Sequence, residues 1–364
     1  MMIPIFILIA IMCSGMTAAK KNEFIPDYCS PKNTATINGI FSVLIFFSHT
    51  LSYINISGPL DDPYLILRRF LGQLVVVSYL FFSGYGIMES YKKKGRAYIK
   101  EMPYHRLFKT WLHFAFAMAM YAAVYLGFMK REKAWWEVAL AFIGYDTLGN
   151  SNWYMFVTFV MYIIIFVSFI LFKKAKVIPV GITCVLTAVF MLWMMRVDLT
   201  DPFHNLMGPQ WYNTIACFPA GMVFSLIKPT FDKIVMKNDL TWYAVFTIVF
   251  MGFMYFYRIR YESVSYHALF AVMFAGMLVV LMMKVNIRST ILDWFGEHIF
   301  SFFILQRIPM LILRELDLHI NQIFYVIVSF IATIFLSVIF DEVMAKLDSV
   351  IFKKKTKKKE LAAK

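Results

Sequence analysis

Acidic residues are scarce in this 364-residue chain: 22 Asp and Glu stand against 36 Lys and Arg, and all charged residues together make up only 16% of it. The four cysteines, Cys13, Cys29, Cys184 and Cys217, form no CxxC pair and no His/Cys cluster, which leaves no case for a zinc site or a disulfide framework. There is no P-loop, no dinucleotide fingerprint and no internal repeat. The alternating pattern of a membrane β-barrel and the inverted repeat of many transporters are absent too. The formal charge of +14 invites a nucleic-acid reading. However, the lysines and arginines gather in short loops and a C-terminal tail, which is how membrane proteins fix their orientation, so no nucleic-acid partner is expected.

What fills the chain is apolar: 60% of its residues are hydrophobic, and the mean hydropathy is +0.67. Repeated runs of about twenty apolar residues predict an all-α, polytopic membrane protein. The runs cover roughly 2–19, 38–56, 71–91, 107–127, 153–172, 177–195, 211–227, 241–257, 264–283, 291–313 and 321–341. The expected architecture is thus a ten-helix transmembrane core plus one extra N-terminal hydrophobic helix. Basic clusters follow every second run, at Lys20/Lys21/Lys32, Lys92–Lys109, Lys173/Lys174/Lys176, Lys228/Lys233/Lys237, Lys284/Arg288 and Lys353–Lys359. All can be cytoplasmic at once, the C-terminus included; only Lys130–Lys133 breaks the pattern.

Three parts are expected: an N-terminal segment with a basic linker (1–37), a transmembrane domain (38–345) and a cytoplasmic Lys-rich tail (346–364) that contacts anionic lipid headgroups. Met1–Ala19 has the length of a signal peptide and small residues near a cleavage point, yet its positive charge follows the apolar run. A retained helix with its N-terminus outside keeps Lys20–Lys32 inside with the later basic loops. Ala134–Tyr145, with Trp135 and Trp136, is too short to span and suits an interfacial helix on the outer face.

His49 is the most informative single residue, because an ionisable side chain inside an apolar helix costs free energy unless it is paired or faces a wet cavity. Asn38 precedes it by eleven positions, which places the two about 20° apart around the helix and about 16 Å apart along it. Three other stretches put polar groups in apolar surroundings. In Phe81-Phe82-Ser83-Gly84-Tyr85-Gly86, the glycines mark either close helix packing or a break where a ligand passes. In Tyr104-His105-Arg106, at a cytoplasmic helix entrance, the arginine suits either a phosphate or a snorkelling anchor. Glu297 and Arg307 share one apolar run and are expected to face other helices rather than lipid. His204 and His319 fall in outer loops, His267 near an outer helix end, and His113 about two turns inside the cytoplasmic boundary. No two histidines make an i, i+4 pair, so no metal site is expected.

From about Ile37 to Phe340 these motifs resemble, in order, the acyltransferase-3 family of integral membrane O-acyltransferases. Asn38-Gly39 through His49 is similar to the family's basic residue-Gly-apolar-His helix, Phe81–Tyr85 to its Phe-Phe-x-x-Ser-Gly-aromatic signature, and Arg106 to the arginine that opens the next helix. Asn152-Trp153-Tyr154, on a span that includes Tyr162, is similar to its Leu-Trp-Phe/Tyr element, and Gly296 with Phe303-Ile304-Leu305-Gln306 to its Tyr-Leu-x-His segment. Asn38 stands where the family has a basic residue, and Gln306 where many members have a second histidine.

The resemblance implies transfer of a short acyl group, usually acetyl, from cytoplasmic acyl-CoA to a hydroxyl of a carbohydrate or glycan precursor. The implied location is the bacterial inner (cytoplasmic) membrane, with acyl-CoA as donor substrate, no bound cofactor and no metal. His49 would be the catalytic base, about 17 Å above the cytoplasmic end of its helix. Arg106, Ser83 and Tyr85 would bind the donor, the lysines near Arg106 would attract its phosphates, and Asn38, Trp153, Glu297 and Arg307 would bind the acceptor. Two other classes compete: a transporter or flippase with His49 and Glu297 as proton relay, and a non-catalytic membrane scaffold.

Overall fold

Long apolar stretches leave the backbone no water to bond with, so they become helices. The structure is a computed structural model that describes residues 2–56, 58–59, 61–172, 176–200 and 208–352. His204, Lys173, Lys174 and the Lys353–Lys359 tail lie outside the described residues. In chain order the helices are α1 (Met2–Ser14), α2 (Pro31–Thr50), α3 (Asp62–Leu71), α4 (Val77–Lys94), α5 (Arg96–Met102), α6 (Lys109–Ala122), α7 (Trp135–Ala141) and α8 (Trp153–Leu171). They continue with α9 (Val177–Thr200), α10 (Cys217–Val235), α11 (Asp239–Ile259), α12 (Val264–Met282), α13 (Thr290–Glu297), α14 (Ile299–Leu305), α15 (Arg307–Glu315) and α16 (Gln322–Ile351). Two short strands, β1 (Met16–Ala18) and β2 (Val285–Ile287), pair antiparallel with Thr17 opposite Asn286.

Among the described residues, seven helical stretches are long and apolar enough to cross a membrane, and Thr290–Glu297 with Ile299–Glu315 makes an eighth if counted as one bent span. This is a multi-pass helical membrane protein. The two other expected core spans are α2 and α10, whose ends carry Lys32, Asn33 and Asn38 in one case and Lys228, Asp232 and Lys233 in the other. The expected N-terminal span differs more. Only Met2–Ser14 is helical, about 20 Å of rise against a hydrocarbon core of about 30 Å. The chain then turns into β1, where Gly15 meets the backbone of Arg288: the Arg288 N–H donates to the Gly15 carbonyl at 2.9 Å and the Ala19 N–H to that of Lys284 at 2.8 Å. The basic segments 20–32 and 284–288 therefore lie together, as their charge pattern anticipates.

The chain divides into two compact units. The first comprises Met1–Leu44, Ile56–Leu107 and Trp153–Glu297, and the second Ile45–Asn55, Phe108–Asn152 and His298–Lys364. In the first, α4 and α10 approach at backbone distance: a Cβ on Gly84 would sit 1.9 Å from the Phe218 carbonyl oxygen, and one on Gly221 2.0 Å from that of Phe81. Small residues at such a crossing let two membrane helices touch along their main chains. A Cβ on Gly86, by contrast, would meet nothing within 4 Å, and α4 runs unbroken through both glycines, so close packing accounts for Gly84 and neither marks a break.

In the second unit, buried hydroxyls along α16 are each satisfied by a carbonyl one turn back: Ser329 on Tyr325 at 2.6 Å, Thr333 on Ser329 at 2.6 Å and Ser337 on Thr333 at 2.7 Å. Lys133, part of the stretch that broke the charge pattern, has a local reason to sit where it does: its ammonium pairs with Asp146 at 2.6 Å and donates to the Thr147 carbonyl at 2.7 Å. The short helix expected there is present as α7, with Trp135 82% exposed. Gly84→Leu and Gly221→Leu are expected to lose about 1–3 kcal/mol or more through overpacking against backbone, read as lower thermal midpoints and folded yield in detergent. Gly86→Ala should match the parent chain, and equal midpoints for all three would refute the contact.

Candidate active site

The first unit holds a cavity of about 600 Å³ between the segment preceding α2, the second half of α4, the turn before α6, and helices α8 and α10. Arg106, Ser83 and Tyr85, the three residues expected to bind the donor, all line it. Local sequence explains the arrangement. Helix α4 ends on Lys92-Lys93-Lys94, cations that complement the helix dipole. Gly95 follows at φ 59°, a conformation that favours glycine, its N–H donating to the Tyr91 carbonyl at 2.8 Å. After α5 the chain forms a π-helical turn, Pro103–Phe108. Proline has no N–H to place in a regular ladder, and wide turns of this kind recur at functional sites. Arg106 sits on this turn, its guanidinium interacting with the hydroxyls of Tyr98 and Tyr162.

Around the cavity the acidic groups are mostly occupied. Glu89 pairs with Lys92 at 2.8 Å and accepts from the Ser225 hydroxyl at 2.7 Å. Asp232 pairs with Lys228 at 2.5 Å and accepts from the Tyr28 hydroxyl at 2.8 Å, with the Lys228 ammonium 4.4 Å over the Tyr28 ring. Lys93, Arg106 and Lys228 line the cavity beside Asp27 and Glu89, and among the described residues no carboxylate pairs with Lys93 or Arg106. Two cations without carboxylate partners in one cavity suit an anionic ligand. Cys29 is in the wall, and burial pushes its thiol well above the ordinary cysteine range, so it stands as a protonated thiol rather than a nucleophile. Ser83 and the Tyr154 hydroxyl interact, and the Tyr154 ring lies 6.2 Å from that of Tyr79.

The remaining expected residues of this unit are not in the cavity. The Asn38 carbonyl accepts from the Tyr79 hydroxyl at 3.1 Å, while its side-chain Oδ1 is buried with no hydrogen-bond partner among the described residues. Trp153 opens α8 with its ring 5.9 Å from that of Tyr154; Tyr162 on the same helix is the one that reaches the cavity. Glu297 is exposed at the end of α13, where the helix is interrupted at His298. The expectation of a charge enclosed within one continuous apolar helix does not hold there. Lys228 and Cys29 are cavity residues that sequence reasoning did not select, Lys228 reading simply as part of an orientation cluster, whereas Lys93 belongs to the basic cluster of Arg106, whose lysines are expected to attract the donor's phosphates.

In the second unit His49 occupies the last turn of α2, its ring 6.4 Å from that of Phe303. One turn further, Tyr53 lies 6.2 Å from the Tyr325 ring, with the Arg307 guanidinium 6.0 Å and the Arg314 guanidinium 5.7 Å over its own. His49 against Phe303 and Tyr53 against Arg307 are two contacts between the same two stretches of chain. The Tyr121 hydroxyl donates to the Ile304 carbonyl at 2.8 Å and the Tyr325 hydroxyl to that of Met310 at 3.0 Å, fixing α14 and α15. Gln306 is 1% exposed and donates to the Phe303 carbonyl at 2.8 Å, while its Oε1 and the Arg307 Nε are buried without hydrogen-bond partners among the described residues. The tyrosines were missed because one tyrosine in an apolar run carries no spacing signal.

Two further histidines of this unit have carboxylate partners: His298 with Asp341 at 2.5 Å, which also accepts from Ser301 at 2.7 Å, and His113 with Asp348 at 2.9 Å. Among the described residues no group of three His, Cys, Asp or Glu side chains is placed to hold a metal ion. Comparison with curated proteins and with solved structures returns no match. The acyltransferase-3 family profile, described as an acyltransferase domain, matches residues 37–342. With most of its length covered, and with seven candidate membrane spans among the described residues, this chain belongs to the acyltransferase-3 family and is a membrane acyltransferase.

Proposed function

We propose that the chain moves an acyl group, acetyl in the simplest case, from acyl-CoA to a hydroxyl of a carbohydrate or glycan precursor. It would work in the cytoplasmic membrane of a bacterial cell with its C-terminus on the cytoplasmic side. The observation that carries the donor assignment is the single cavity lined by Arg106, Ser83 and Tyr85 together with Lys93 and Lys228. Coenzyme A carries phosphates, and a planar guanidinium grips a phosphate bidentately while ammonium groups add point charge. The phenols of Tyr98 and Tyr162 lie beside the guanidinium, and no cofactor needs to remain bound between turnovers.

His49 supplies the base. As neutral imidazole it accepts the proton of the acceptor hydroxyl while that oxygen attacks the thioester carbonyl. The carbon–sulfur bond breaks, the CoA thiolate takes the proton back from the imidazolium, and an ester and free CoA result. A transient acyl-histidine is the other route to the same products. Arg307, Asn38 and Trp153 are the acceptor-side residues of this reading, the first on the stretch of chain that His49 meets through Phe303. The transporter alternative draws on Glu297 as a relay partner, and the exposed position of Glu297 at a helix end lends that role no support.

His49→Ala is expected to lower transfer from radiolabelled acetyl-CoA, in membranes at matched protein abundance, by about 10²–10⁴-fold. Unchanged transfer would remove His49 from the mechanism. Arg106→Ala should raise the acyl-CoA KM on the order of 10–100-fold, the worth of charge-assisted hydrogen bonds, with a smaller effect on kcat. An unmoved KM would refute the phosphate role.

A further inference from the structure

A second polar cavity, of about 760 Å³, lies at the other end of the same helices of the first unit. It is formed by the turn before α4, the approach to α10 and the junction between α11 and α12. Its volume falls in the range of small-molecule sites. Gly72, at φ +45° with nothing within 4 Å of a Cβ position, owes its identity to backbone conformation and swings the next residue, Gln73, into the wall. The Gln73 Oε1 is buried and has no hydrogen-bond partner among the described residues. Across the lining stands Asn213, 8% exposed. Its backbone N–H donates to the Pro209 carbonyl at 2.9 Å, and its side-chain amide has no hydrogen bond among the described residues.

Leaving a buried amide oxygen unmatched costs stability that a folded chain normally avoids, so the Gln73 Oε1, with the Asn213 amide in the same cavity, points to an absent partner. That partner has to offer donors and acceptors together, which is the property of a hydroxyl. Aromatic rings complete the walls: Phe70, Phe270, Tyr212 and Tyr261, the last 78% exposed. The Arg260 guanidinium is held 3.8 Å over the Tyr257 ring and 4.3 Å over that of Tyr261. Arg69 also lines the cavity and has no carboxylate partner among the described residues. Among the described residues Glu262 is the one carboxylate in the lining, against two guanidinium groups and the His267 imidazole.

Planar amides for vicinal hydroxyls, ring faces for the apolar side of a pyranose and a cation without a counter-charge form one recognition pattern. We propose that this cavity binds a saccharide whose sugar units bear a carboxylate. Gln73 and Asn213 read the hydroxyls, and Arg69 takes the carboxylate bidentately. Where the acyltransferase reading holds, this site names the acceptor as an acidic glycan and holds sugar units of it remote from the hydroxyl that reacts, which stays with Arg307, Asn38 and Trp153.

The test is calorimetric titration of the full chain in neutral-detergent micelles with tetragalacturonate, beside maltotetraose as the uncharged control and phosphatidylglycerol as a lipid anion. Saturable binding of tetragalacturonate is expected, at least tenfold tighter than maltotetraose, and weakened about tenfold or more by Asn213→Leu. Arg69→Gln should erase most of the difference between the acidic and neutral sugars. Gln73→Leu serves as the second amide variant should Asn213→Leu not fold, folding being judged by the thermal midpoint without ligand. The site is refuted by absent binding, by equal binding of both sugars, by well-folded variants that bind like the parent chain, or by phosphatidylglycerol competing the sugar away at equal concentration. No donor is present, so lost acyl transfer leaves this result standing, and transfer without sugar binding overturns this site alone.

Discussion

Two glycines meeting two carbonyls set the geometry on which the first unit depends. Gly84 lies on the Phe218 main chain and Gly221 on that of Phe81, so α4 and α10 run together at a spacing no side chain permits. Everything functional in this unit is then arranged at the two ends of that pair. Towards the C-terminal ends, Glu89 and Lys93 of α4 stand with Lys228 of α10 around the cavity that Arg106 lines. Just before the N-terminal ends, Gln73 and Asn213 face the other cavity. The helix pair is a strut whose thickness fixes both mouths at once.

Charge is handled with economy inside this frame. The carboxylates near the Arg106 cavity are mostly quenched by neighbours, Glu89 by Lys92 and Ser225, Asp232 by Lys228 and Tyr28. Arg106 instead faces the phenols of Tyr98 and Tyr162, which leave its charge uncancelled. A cation held by hydroxyls rather than by an acid stays available to an incoming anion. In the second unit the surroundings of His49 are aromatic, through Phe303, with cations stacked on Tyr53 one turn away.

Much of this is legible in the residues alone, for reasons that also define where legibility stops. The helical membrane class follows from run length, since nothing else satisfies a backbone in hydrocarbon. Arg106, Ser83 and Tyr85 can be picked out because each interrupts an apolar pattern, and the fold gathers them into one cavity. Lys228 gives no such signal, because a lysine at a helix end reads equally well as an orientation charge. Glu297 misleads for the opposite reason. Hydropathy sees one apolar run from 291 to 313, whereas Gly296 packs against Ala35, where a Cβ would lie 1.9 Å from the carbonyl oxygen, and the helix stops at the next residue. Asn213 and Gln73 are invisible in sequence, since an amide's importance lies in lacking a partner, and partners are a property of three dimensions.

The small β1–β2 ladder carries a consequence for biogenesis. Its strands lie far apart in the chain, Thr17 and Asn286 being separated by 269 positions. Synthesised at about 5–20 residues per second, the second strand follows the first by roughly 13–54 s. During that interval β1 has no partner to pair with, and α2 to α12 are inserted first. The ladder is therefore a late clasp, closed only when α12 has been placed, and it joins the start of the chain to the first unit after most of that unit's helices are in the bilayer.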